Sequence, residues 1–430
     1  MKTITNTLYL AFALFAFACF ALSPPLKAQC PSACGGGGNT ALGNGALDSI
    51  TTAQSNTAAG ANALGDDTTG SFNVAVGSSA LGNNTVGFQN MAIGAEALLN
   101  NIDGNFNMAI GFRALNMNQH GGRNAAVGAS ALRDNTASDN TAIGSTALRN
   151  NEAGPNNTAI GSAALSENTT GHDNTAVGAH ALASITGLGN DSNTAVGSEA
   201  MLNSSSGLGN TVVGFQAGIN NAGSVNTAIG VNALSNSLGN GNIGLGVNAG
   251  QNIGAANNVI CIGTSGVAIS SSCFIGQIFG QSVDGATDTP VIIDNTGKLG
   301  TTTSSQRFKK DIQPMDQASE AILSLKPVTF HYKNDNTSTA RFGLIAEEVA
   351  EVNPDLIVRD DKGEIYSVRY DAVNAMLLNE FLKEHRKVQR LEAALAAMGK
   401  RLKEQDAKIE RVNDKVEVNK SVSQTVLNNQ

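Results

Sequence analysis

The chain has 430 residues with 48 Gly, no Trp, 4 Tyr and 15 Phe; 41% of it is apolar, only 14% is charged, and the formal net charge is −8. So few aromatics exclude the thick core of an ordinary enzyme domain, and so high an apolar fraction excludes a disordered chain, which leaves thin stacked repeats of Ala, Val, Ile and Leu. Residues 1–300 hold 7 Lys+Arg against 15 Asp+Glu, residues 301–430 hold 20 of each, and no basic run is interleaved with aromatics, so a nucleic-acid partner is excluded too.

Met1 and Lys2 precede an apolar run from Leu8 to Leu22 that carries Phe12, Phe15, Phe17 and Phe20 and stops before Pro24 and Pro25. The run is short against the ~20 residues of a membrane span. Leu26-Lys27-Ala28 offers a small-residue cleavage site, so residues 1–28 read as a secretory signal and residues 29–38 as a linker. After its removal no membrane span is expected, and the predicted location is secreted or cell surface. An oxidising compartment permits disulfides, with Cys30–Cys34 and Cys261–Cys273 as candidate pairs. For the second pair, burial as small hydrophobes is an equal alternative. The cysteines lack the clustered His of a zinc framework, so neither a metal nor a cofactor is expected.

From residue 39 a nine-residue phrase recurs: NTALGNGAL at Asn39, NVAVGSSAL at Asn73, NMAIGFRAL at Asn107, NTAIGSAAL at Asn157, NTAIGVNAL at Asn226. Most copies start 17 residues apart, several 16 and one 19. A short fixed period predicts a solenoid over 39–280, one repeat per coil. Thr158 and Ile160 alternate with Asn157, Ala159 and Gly161, a strand period, and Asn/Gly/Asp/Ser clusters such as Asn100 to Gly104 supply the turns. About fourteen coils with one or two short strands each, stacked at ~4.8 Å, give a rod of roughly 65 Å.

Small residues on both strand faces predict that one face fills the coil and the other meets neighbouring chains, because a solenoid complete in one chain usually carries larger Leu, Ile or Phe ranks inside. A calcium-binding nonapeptide roll needs Asp at a fixed place, whereas the phrase carries Asn and places Asp66, Asp103 and Asp191 irregularly. An ice-binding face wants Thr-x-Thr ranks and finds Thr-x-Ile or Thr-x-Val. His120, His172 and His180 are out of register with one another and read as exposed loop histidines. The phrase, from residue 39 to about 263, resembles the head repeats of trimeric autotransporter adhesins, the YadA-like left-handed parallel β-roll, and that resemblance implies a homotrimer.

Residues 281–303 form a β connector in which PVIIDNTGKLG reads as two short strands around a turn at Asn295-Thr296-Gly297. An ordered series follows: SSQRFKKDI (304–312), AILSLKPVTFHY (321–332), FGLIAEEV (342–349), NPDLI (353–357) and Tyr366 to Tyr370. This series resembles the C-terminal intramolecular chaperone and auto-processing domain of phage tail spikes, endosialidases and myelin regulatory factor, a serine peptidase family with a Ser-Lys dyad. The family pattern Ser-Asp-x-Arg-Leu-Lys falls on Ser304, Ser305, Gln306, Arg307, Phe308 and Lys309, so the resemblance implies Ser304 as nucleophile, Lys309 as base and scission between Thr303 and Ser304. Because Ser305 replaces the Asp, a frame with Ser305 and Lys310 keeps the same spacing; Arg307, Asp311 and Ile312 favour the first. A Ser hydroxyl is a weak nucleophile until a base takes its proton, and a Lys amine does so when burial or neighbouring cations favour its neutral form.

The chaperone domain is expected over 304–374, with Glu347 and Glu348 diverging on a helix, Asp360 to Gly363 as a hairpin turn and His331 exposed. Leu377, Phe381, Val388, Leu391, Leu395, Met398, Leu402, Ile409, Val412 and Val416 step by threes and fours, which predicts a coiled-coil helix over 375–418 and a disordered tail over 419–430. A helix folded back on its own domain is the alternative. The expected class is therefore mainly β: a parallel β-roll, a small α+β chaperone domain and a coiled-coil helix in a homotrimer. The expected function is an exported fibre whose C-terminal domain trimerises the shaft and then cuts itself off. The alternative is an adhesin fibre with a non-cleaving chaperone domain, and the surface ligand of the shaft is not named by its residues. A secreted hydrolase fails for want of a pocket-forming domain.

Overall fold

The computed structural model describes residues 37–427 apart from 187–188, 205, 280, 282–288, 295, 334–338 and 361. The signal reading, Cys30 and Cys34 lie outside the described residues. The chain divides into two units at Ser282/Val283, two residues from the boundary expected at 280/281.

The first unit is a parallel β-solenoid of fifteen three-residue strands, β1 (Thr40–Leu42) to β15 (Cys273–Ile275), one per coil and hydrogen-bonded in sequence order. Register follows the phrase: Thr141 pairs Thr158, Ala142 pairs Ala159 and Ile143 pairs Ile160. In all but the last strand the central residue is buried, an Ala in most and Val212, Gly244 and Cys261 in three, and its neighbours face outward. An Ala cannot fill a coil, and the missing volume comes from the turn that follows. There Ala164 and Leu165 are both fully buried, as are Ala80 with Leu81 and Ala147 with Leu148.

The expectation that one chain lacks a rank of large inner side chains is therefore corrected. Leu47, Leu64, Leu81, Leu98, Leu115, Leu132 and their successors form that rank, hidden from a strand-period reading because each sits in a turn. These leucines hold left-handed backbone, with φ 53° at Leu165. That conformation costs roughly 1–2 kcal/mol, and burying the side chain contributes about 1.5–3 kcal/mol, so burial offsets the strain. The outward strand positions, Val76, Ile93, Ile143, Ile160 and Ile229 among them, leave an exposed apolar rank.

From Asn56 to Asn242 the Asn that opens the phrase is buried and ties successive coils together. The Asn157 backbone N–H donates to Asn140 Oδ1 (2.9 Å), Asn157 Oδ1 accepts the Asn174 N–H (3.0 Å), and Asn157 Nδ2 donates to the Gly171 carbonyl (2.7 Å). An amide is required because one end accepts and the other donates. Asn157→Ala leaves the buried Asn174 N–H without an acceptor, while the Gly171 carbonyl keeps its second amide donor from Asn168 (3.0 Å), so we expect a loss of about 1–3 kcal/mol in rod stability. Denaturant unfolding checks this, and a loss below about 1 kcal/mol would show that water replaces the amide.

Cys261 lies buried at the centre of β14 (Ile260–Ile262) and Cys273 is exposed at the start of β15; both are free thiols. The ladder pairs Ile260 with Cys273 and Cys261 with Phe274, which points the two thiols to opposite faces of the sheet. The candidate Cys261–Cys273 disulfide is thus not formed, and the alternative of a small buried hydrophobe holds for Cys261.

In the second unit β16 (Val291–Ile293) and β17 (Leu299–Thr301) form an antiparallel hairpin. Asp294 Oδ1 accepts the backbone N–H groups of Thr296 and Lys298 at 3.0 Å and fixes its turn. Single-turn 3-10 segments Gln306–Phe308 and Pro354–Leu356, a longer one at Asp316–Ser324, hairpins β18 (Val328–Phe330) with β19 (Arg341–Gly343) and β20 (Ile357–Arg359) with β21 (Ile365–Val368), and helix α1 (Ala346–Val352) complete a small α+β body. Its core is thin: Val349, Leu356, Ile357, Val368 and Met376. Helix α2 (Tyr370–Leu427) runs 58 residues and exceeds the expected 375–418 at both ends. Residues 419–427, expected as tail, are helical, since no Pro interrupts the run. The seam from Leu377 to Val416 is exposed, so within the described residues the helix does not fold back over its seam.

Candidate functional site

The 3-10 turn Gln306–Phe308 closes by Phe308 N–H to the Ser305 carbonyl (3.0 Å) and Lys309 N–H to the Gln306 carbonyl (3.1 Å). A single tight turn brings the residues on either side of it back together, and Lys309 Nζ donates to Ser304 Oγ at 3.1 Å. The contact is local, built by six consecutive residues, and both side chains are exposed. Arg307 stacks over the Phe308 ring at 4.6 Å. Among the described residues no hydrogen bond joins Ser305 to Lys310; Ser305 serves the turn through its backbone carbonyl. Thr303 lies next to Ser304 in exposed, irregular chain. A hydroxyl beside an amine at hydrogen-bond distance is the minimum arrangement for base-assisted nucleophilic attack.

A second Ser-Lys contact gives no sequence signal because its parts stand about 60 residues apart. Ser319 Oγ, buried, accepts from Asn379 Nδ2 (2.7 Å) and Lys383 Nζ (3.4 Å) and donates to Glu380, fastening the Asp316–Ser324 segment to α2. Lys383 Nζ lies 2.7 Å from Glu380 and 3.4 Å from Glu320. The Glu380 hydrogen bond holds the ammonium above its ordinary range and holds the carboxyl below its own. A cation held protonated is no base, so this cluster is a clasp.

Glu348 lines a cavity of about 160 Å³ with Ser324, Lys326, Ile345 and Val352, whereas its neighbour Glu347 does not, as divergence on α1 predicts. The Asp360–Gly363 turn forms as expected, with Gly363 N–H donating to the Asp360 carbonyl at 3.1 Å. No group of His, Cys, Asp and Glu among the described residues is arranged to hold a metal ion, and no described helix is long and apolar enough to cross a membrane.

Residues 304–358 match the family model described as chaperone of endosialidase. The match begins at Ser304 and takes in the turn, the Asp316–Ser324 segment, β18, β19 and α1. The C-terminal part of the chain therefore carries a chaperone domain of that kind. No curated protein and no solved structure matches the chain.

Proposed function

We propose that the chain is an exported trimeric fibre whose C-terminal domain assembles the shaft and then releases itself by cutting between Thr303 and Ser304. The observation that carries this reading is the 3.1 Å contact of Lys309 Nζ with Ser304 Oγ at the first residue of the family match. Lys309, as the neutral amine, takes the hydroxyl proton while Ser304 Oγ attacks the Thr303 carbonyl carbon. The C–N bond breaks, the Ser304 amine leaves with a proton, and an ester joins Thr303 to the Ser304 side chain. Water then hydrolyses the ester, giving a Thr303 carboxylate and a released segment of 127 residues (430 − 303). The exposed heptad seam of α2 supports trimerisation, and the apolar Leu8–Leu22 run supports export. The repeat phrase supports a YadA-like roll as the shaft.

Once the assembly domain is gone, the shaft loses its easiest route to unfolding and its persistence becomes kinetic. The test is the intact mass of the full chain beside Ser304→Ala, Lys309→Ala and Ser305→Ala. A fragment beginning at Ser304 in the parent and in Ser305→Ala, absent from the other two, is the expected result. An uncut parent chain in folded trimers would overturn self-cleavage. The exposure of Ser304 and Lys309 favours a second reading in that event, a fibre that keeps its chaperone domain as a display module.

A further inference from the structure

Most coils carry a second buried polar residue, one corner away from the Asn that opens the phrase, although Ile takes that place in some, Ile50 and Ile185 among them. Asn84, Asn101, Asn118 and Asn135 occupy it in successive coils, and each gives Nδ2 to the Oδ1 of the coil before: Asn101 to Asn84 at 2.7 Å, Asn118 to Asn101 at 3.1 Å, Asn135 to Asn118 at 3.2 Å. The same amides also reach a carbonyl in their own turn, Asn84 to Gly87 at 3.0 Å and Asn101 to Gly104 at 3.0 Å. The rank begins with an acid. Asp67 is fully buried at this position, and one coil earlier the place belongs to Ile50.

Asp67 Oδ1 accepts from the Gly70 N–H (3.0 Å) and Asn84 Nδ2 (3.1 Å), and Oδ2 accepts from Asn56 Nδ2 (3.1 Å). None of these partners, nor Ile50, is titratable. Asp48 and Asp66 are exposed, and no Lys or Arg occurs between Lys27 and Arg113. The carbonyls show what is missing. Gly87 receives two amide donors, from Asn73 (2.8 Å) and Asn84 (3.0 Å), and Gly104 likewise from Asn90 and Asn101. Gly70 receives only the Asn56 donor (2.8 Å). The absent donor is the one Asn supplies in later coils and a protonated acid can supply here.

We propose that Asp67 is a proton-operated lock on the N-terminal coils. As a neutral acid it completes the polar rank and holds residues 37–87 closed, and loss of that proton toward neutrality lets them open locally. Burial pushes the Asp67 carboxyl up from 3.8 to about 7. With the folded value above the unfolded one, the closed form is most stable below pH ~4, weakens between ~4 and ~7 as only the open form ionises, and levels off above ~7. A solenoid end opens without the rest, because each coil touches only its neighbours.

Amide hydrogen exchange of the full chain from pH 4 to 8.5, corrected for intrinsic rates, tests the lock. Opening of peptides within 40–87 is expected to rise by up to about tenfold per pH unit until ~7 and then level off, relative to peptides within 141–185. Asp67→Asn flattens that rise and the exposed control Asp66→Asn leaves it intact. Equal pH dependence in both regions, or an unchanged rise in Asp67→Asn, overturns the proposal. Should Asp67→Asn fail to fold, the carboxyl carbon of Asp67 is titrated by NMR in the parent chain: a midpoint near 7 upholds the lock and one below about 5 overturns it.

Discussion

Gly161→Ala is expected to destabilise the rod by about 3–5 kcal/mol, although it adds a single methyl group. Gly161 follows the strand Thr158–Ile160 at φ 136°, where an L side chain is strained. A Cβ there would meet the Gly178 carbonyl oxygen at 2.4 Å and its carbon at 2.5 Å. Both atoms belong to the backbone of the next coil, which is pinned by the sheet and cannot withdraw as a side chain would. Strain at such a backbone costs about 1–3 kcal/mol and forced overpacking a similar amount. The same close approach recurs at Gly144 against Gly161 and at Gly178 against Gly197, so the stack holds every coil at a spacing with no room for a Cβ at this position. Gly209→Ala is the control: φ is 67°, nothing lies within 4 Å, and about 1 kcal/mol is expected. Chemical unfolding of the two variants decides; equal losses would show that the stacking distance relaxes freely.

Deleting residues 304–430 is expected to have the larger consequence, a fall of roughly tenfold or more in soluble, assembled shaft. Each strand is only three residues long and gains its hydrogen bonds from a segment one coil away, so no coil is stable before its neighbour has formed. Until the coils close, their Ala and Leu ranks and the outward Ile/Val rank present apolar surface to other chains. The deleted part holds the chaperone domain and the 58-residue helix. Sedimentation of the expressed product reads the outcome, with Ser304→Ala as comparison because it keeps the whole domain. Equal yields of assembled shaft from the truncated and parent chains would mean that the coils need no assembly domain.

The period of the shaft was legible because Asn157, Ala159, Gly161 and Leu165 each do a separate task in the coil and so recur together. What the strand alternation concealed was direction. Thr158 and Ile160 look like a core-facing pair, yet the small Ala159 between them points inward, and the bulk arrives from Leu165 in left-handed backbone, for which a period of two has no place. Asp67 was visible as an acid but not as a departure until the corner position was aligned coil on coil. Ser304 and Lys309 were singled out through the family resemblance of one short motif, and they meet across a single turn, whereas the Ser319 clasp joins segments about 60 residues apart that no motif links.

The outward rank of the shaft is a scale without numerals. Ala125 stacks on Thr141 and Thr175 on Thr194, so even the 16- and 19-residue coils place their extra or missing residues in turns and keep the strands aligned. A surface lying against this face and displaced by one coil, ~4.8 Å, would meet nearly the same Thr-x-Ile or Thr-x-Val chemistry as before. The face can supply attraction but almost no information about axial position. Any partner that must sit at one height has to be aligned by something that occurs once in the chain, and the long helix α2 is such a mark, whereas the strands are not.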